Sequence, residues 1–154
     1  MTAPLCVTVR RASAPEGSSP AVAVELRMLS LVAQVEAAVE IMVRHCFAGQ
    51  SPCATTSFRL RVALSEALNN AILRGNQEDP GKRVWVHAVL YPDTIRLGVR
   101  DEGLGFDPGG VPEPTTPDAL ECDGGRGLFI IRNLAEQVEF NERGNTIWMT
   151  LPRC

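Results

Sequence analysis

The chain reads as an α/β (α+β) domain, and three observations carry that reading. Residues 31–46 and 57–75 each repeat apolar side chains at helical spacing. Arg83–Leu90 and Thr94–Arg100 alternate as strands across the tight turn Tyr91-Pro92-Asp93, which predicts a hairpin. A length of 154 residues fits a single domain spanning 1–154 with a real hydrophobic core.

Composition narrows the class. With 45% hydrophobic and 21% charged residues the chain belongs with ordinary globular proteins, and no apolar run reaches membrane-spanning length. The N-terminal MTAPLCVTVRR places its charges after its apolar residues, which is not a secretory signal, so a cytoplasmic protein without membrane contact is expected. Five scattered cysteines without a C-x-x-C pair predict reduced thiols rather than a disulfide framework or a zinc site. A net charge of −3 offers no basic footprint, so no direct nucleic-acid partner is expected.

In chain order, residues 5–10 alternate as a short strand, and residues 12–20 are a Ser/Pro/Gly-rich loop, so 1–21 form a possible extra strand and loop. Residues 22–28 (VAVELRM) make a better strand, with Ser30 at a helix N-cap position. Leu31, Val32, Val35, Val39, Met42, Val43 and Cys46 then form a helical stripe, and His45 and His87 are read as surface or strand-face groups without a role. Residues 108–123 hold four prolines and read as a lid or mobile loop. A helix over residues 128–137 and a strand pair, 138–140 with 146–151, finish the fold.

The chemistry concentrates on SFRLRVALSEALNNAILRG, residues 57–75. Leu60, Leu64, Leu68, Ala71 and Ile72 form its buried stripe, whereas Glu66 and Asn70, four apart, project side by side on another face, flanked by Asn69 and Leu73. An amide oxygen can take one place in a magnesium shell and a carboxylate can orient or deprotonate a nucleophile. The alternative is a solvated polar face, although two adjacent asparagines are poor choices for a helix interior.

Two further motifs follow. Asp101, Gly103 and Gly105 stand at a strand end, where an aspartate can accept from an exocyclic amino group and glycines permit close approach of a flat ligand such as adenine. The alternative is a plain glycine turn. Gly125, Arg126 and Gly127 open a helix, where backbone N–H groups and an arginine suit phosphate, or where glycines serve packing alone.

These three motifs in this order resemble the GHKL ATPase superfamily. SEALNNAI, RDEGLGFD and GGRGLFIIRNLAEQVEF are closest to the bacterial anti-sigma factors of the RsbW and SpoIIAB type, over residues 22–151. The resemblance implies a Bergerat-type two-layer sandwich, a mixed, mostly antiparallel sheet with helices on one face, and a domain that commonly forms a homodimer. It implies ATP and Mg2+ as cofactors, a sigma factor held inactive, and phosphorylation of a serine on an anti-anti-sigma STAS-domain partner. By position it makes Glu66 the general base, Asn70 the magnesium ligand, Asp101 the adenine reader and Gly103, Gly105, Gly125 and Gly127 the glycine boxes. Arg126 becomes a catalytic lid arginine. Arg74 stands where the family usually has histidine. In Gly144-Asn145-Thr146 one residue is inserted into a Gly-Thr pair, which makes Thr146 the matching adenine contact. The competing expectations are a non-catalytic ATP-binding interaction module and a detached histidine-kinase-like ATPase domain.

Overall fold

The computed structural model describes residues 5–12, 21–47, 53–105 and 125–153. The proline-rich segment 108–123, expected as a lid, lies outside the described residues, as does the loop over 13–20. The elements run β1 (Cys6–Ala12), β2 (Ala21–Leu29), a 3-10 turn (Val32–Gln34), α1 (Val35–Cys46), α2 (Ala54–Asn70) and a π-helical turn (Ala71–Gly75). There follow β3 (Arg83–Leu90), β4 (Thr94–Arg100), α3 (Gly125–Leu134), β5 (Gln137–Phe140) and β6 (Thr146–Pro152).

The strands form one six-stranded sheet in the order β1-β2-β3-β4-β6-β5. All pairings among the described strands are antiparallel, so the two-layer α+β sandwich is built on an antiparallel sheet. Strand alternation decides which face the helices cover. Val84, Val86, Ala88 and Leu90 of β3, with Ile95, Leu97 and Val99 of β4, are buried beneath them. Leu60, Leu64 and Leu68 of α2 and Ile72 of the π-helical turn meet that face with no exposure at all. Each such leucine contributes about 1.5–3 kcal/mol of burial, and truncating one, as in Leu64→Ala, costs about 2–5 kcal/mol.

The opposite face carries both tryptophans. Arg100 stacks its guanidinium 4.3 Å from the Trp85 ring centre, and Arg96 lies 4.9 Å from that of Trp148. His87 is half-buried on this same face beside Glu25 and Trp148, as its strand position predicts.

Three local expectations change. Ser30 is not a helix cap; its backbone N–H donates to the Lys82 carbonyl and its hydroxyl is buried without a partner among the described residues. The last helix spans Gly125–Leu134 rather than 128–137, because the Glu136 N–H is drawn to the Thr150 carbonyl and Gln137 already pairs with Thr150 in the sheet. Cys53, expected as a reduced thiol, is disulfide-bonded, since pairing in space does not follow from spacing along the chain. Cys46 is free and buried, and that burial pushes its thiol up to about 12, outweighing the opposing charge of Arg153.

Candidate functional site

A cavity of about 490 Å³ opens between the end of α2, the segment after β4 and the turn before β6. Its apolar wall comes from Ala67, Ala71, Val99, Leu128, Phe140 and Ile147, and its polar groups include Asn70, Lys82, Asp101 and Asn145. This is the size and make-up of a small-molecule site, an apolar slot with a few placed polar atoms.

The sheet register sets the polar end. Arg100, the last residue of β4, pairs with Thr146, the first of β6. One step beyond, the Asp101 N–H donates to the Asn145 carbonyl at 3.0 Å, so the ladder carries Asp101 and Asn145 together into the cavity rim. The Gly103 N–H then donates to Asp101 Oδ1 at 2.7 Å, folding the segment back on the carboxylate. Burial raises the Asp101 pKa above the ordinary carboxylate value, more than the Gly103 hydrogen bond and the Lys82 charge hold it down.

Close packing leaves no space for side chains where the glycines stand. A Cβ on Gly103 would strike the Gly75 carbonyl, and Gly105, at φ +84°, lies against the Arg143 carbonyl in a conformation that L side chains rarely adopt. At the other end, a Cβ on Gly127 would stand 3.0 Å from Asn70 Nδ2 and 3.1 Å from Glu66 Oε2. The first turn of α3 therefore rests directly on the Glu66 and Asn70 pair of α2. Glu66 is half-buried and, among the described residues, has no hydrogen bond or ion pair; Arg61 pairs instead with Glu40 and Ser57. The Asn70 amide is equally uncommitted among the described residues, and it lines the cavity.

Comparison with known proteins decides the family. Residues 28–151 match the histidine kinase-like ATPase domain. The chain belongs to that family. It is similar to the anti-sigma F factor of Oceanobacillus iheyensis, at 30% identity over 77% of this chain and 85% of the relative. It is also similar to the anti-sigma F factors of Bacillus cytotoxicus (32%, covering 79% and 86%) and of Bacillus subtilis (29%, covering 79% and 86%).

Within this histidine kinase-like ATPase domain the cavity gathers Asn70, Asp101, Gly103 and Gly105. Gly127 and Glu66 adjoin through Asn70, and Gly125 begins α3. Arg126 is exposed on the first turn of α3 and is not among the cavity-lining residues. Thr146 is buried, its N–H and hydroxyl both engaged by the Asn141 amide, and the neighbouring Asn145 lines the cavity in its place. Asn69 does not flank the cavity but lines a separate groove with Glu36, Glu40, Arg61 and Ser65.

Sequence reasoning missed several residues. Lys82 and Gln77 sit in what reads as an ordinary turn, yet both line the cavity. Gln77 and Glu78 adopt positive φ, 53° and 58°, next to the π-helical turn, and strain of this kind collects at functional sites. The signal available for Asn145 was its place as the inserted residue. For Gly75 it was the helix-terminating glycine.

Proposed function

We propose that the protein is an ATP-dependent anti-sigma factor. It holds a sigma factor inactive and uses MgATP to phosphorylate a serine on an anti-anti-sigma STAS-domain partner, working as a homodimer. The observation that carries this reading is the gathering of Asn70, Asp101, Gly103 and Gly105 around one cavity, with Glu66 and Gly127 against Asn70. The names of the similar proteins supply the sigma-factor partner.

The residues present fit that chemistry. Asp101 accepts from the exocyclic amino group of adenine, while the apolar wall takes the ring. The first turn of α3 offers backbone N–H groups and the positive dipole end to phosphate, and the exposed Arg126 adds a charge there. Asn70 Oδ1 would hold a magnesium ion, which when bound would supply charge neutralisation for the transferred group. Glu66 takes the proton from the serine hydroxyl as the serine oxygen bonds the terminal phosphorus and the bond to ADP breaks.

The test mixes purified protein with terminally labelled ATP, magnesium, and candidate sigma and STAS proteins from the same genome. Label is expected on a serine of the STAS protein, and chelation of magnesium is expected to abolish it. Sigma binding without label transfer would favour the pure interaction module.

A further inference from the structure

We propose that Asn76 is a positioning residue for the base-reading carboxylate, clasping the Asp101 segment to the end of the central helix. This rests on the proposed ATP-binding reading and deepens it. Asn76 follows the π-helical turn and is wholly buried, with 0% exposure. Neither of its side-chain bonds goes to its own helix. Oδ1 accepts from the Glu102 N–H at 2.8 Å, and Nδ2 donates to the Arg83 carbonyl at 3.0 Å. Its backbone N–H donates to the Ala71 carbonyl at 2.8 Å, which makes the wide last turn of the helix.

A closed ring results. Glu102, the residue after Asp101, returns its carboxylate to accept the Arg83 N–H at 2.6 Å. One amide thus fixes the helix end, the start of β3 and the exit of β4 relative to each other. On the far side Asn145 holds the same segment. Its Nδ2 donates to the Asp101 carbonyl at 3.3 Å, and its Oδ1 and N–H are both held by the Asn141 amide. Asp101 is gripped through its neighbours from two directions, which leaves its carboxylate little freedom to swing away from the cavity. A carboxylate that must discriminate one exocyclic group gains from such pre-organisation, because no ordering cost is left for the moment of binding. A residue serving only as a helix end would bond its own helix, whereas this one spends its whole side chain on the strand and segment that deliver Asp101.

The test measures the affinity of ATP and of inosine triphosphate, which lacks the exocyclic amino group, for wild type and Asn76→Ala by calorimetry. Wild type is expected to prefer ATP. Asn76→Ala is expected to lose about tenfold toward ATP and to keep its affinity for inosine triphosphate. In an Asp101→Asn background the same change should cost nothing further, since coupled residues are non-additive. Equal losses for both nucleotides, or no loss for either, would overturn the positioning role. A wild type indifferent to the base would overturn the reading of Asp101 itself, and this proposal with it. Should Asn76→Ala not fold, Glu102→Ala, at an exposed position outside the cavity lining, opens the same ring at the Arg83 N–H and is held to the same outcomes.

Discussion

Gly75 and Asp101 occupy adjoining space so tightly that a Cβ on the glycine would stand 2.6 Å from Asp101 Oδ1 and closer still to the rest of the carboxyl group. The helix end that follows Asn70 and the segment that carries Asp101 are therefore in direct contact, the Gly75 backbone against the Asp101 carboxyl.

Gly75→Ala forces the Asp101 carboxyl to move. Overpacking of this sort costs about 1–3 kcal/mol of stability. ATP affinity is expected to fall by about tenfold or more as the acceptor shifts, because losing a hydrogen bond to a charged group costs about 1.5–3 kcal/mol. Thermal unfolding and calorimetry on one preparation check both. Unchanged affinity would mean that the carboxylate has no fixed place in the nucleotide site.

Asp101→Asn should separate stability from binding. Because burial raises the folded-state pKa of Asp101, its ionised form costs the free protein stability. The sign follows directly: this group favours the fold when protonated, and that contribution is lost as pH rises through the raised folded value. The variant carries no such charge, so its melting temperature at neutral pH should equal or exceed that of wild type. The difference should close as pH falls below the ordinary aspartate range. ATP affinity moves oppositely, falling in the variant by about 1.5–3 kcal/mol, and in wild type as acid protonates the carboxylate. A variant that loses both stability and affinity at neutral pH would show that the charge is structural.

Asn70→Ala tests the metal. Its amide lines the cavity, uncommitted among the described residues, so removing it should weaken ATP binding in magnesium and leave metal-free binding near wild type. Titrations with and without chelator decide, and an equal loss in both would argue for a packing role.

The elements were legible because their patterns are local. Leu60, Leu64, Leu68 and Ile72 are wholly buried as their spacing predicts, and the strands Arg83–Leu90 and Thr94–Arg100 stand where alternation puts them. What could not be read depends on distant partners. AILRG continues a helical pattern, and the tertiary bonds of Asn76 to Arg83 and Glu102 accompany its change to a π-helical turn. Thr146 was matched to adenine by motif position, but the β4 and β6 register delivers Asn145 beside Asp101 while Asn141 engages Thr146. Arg61, five residues before Glu66 on the same helix, is taken up by Glu40 of α1.

That last pairing bears on the role of Glu66. A carboxylate kept for structure would hold a cation, yet Glu66 has no ion pair among the described residues and lies against Gly127 at the first turn of α3. It stands one helical turn from Asn70, so under the proposed function it would receive the serine proton without ligating the metal. Phosphoryl transfer asks little covalent help beyond that proton, and general-base assistance is worth about a hundredfold to ten-thousandfold in rate. Glu66→Gln keeps the size and removes the basicity. Single-turnover phosphorylation of the STAS partner should fall within that range, while ATP affinity and sigma-factor capture stay close to wild type, since capture needs a surface and not a base. Survival of phosphorylation would remove Glu66 from the chemistry. Loss of sigma capture together with phosphorylation would make the residue structural, a result that its lack of an ion pair among the described residues argues against.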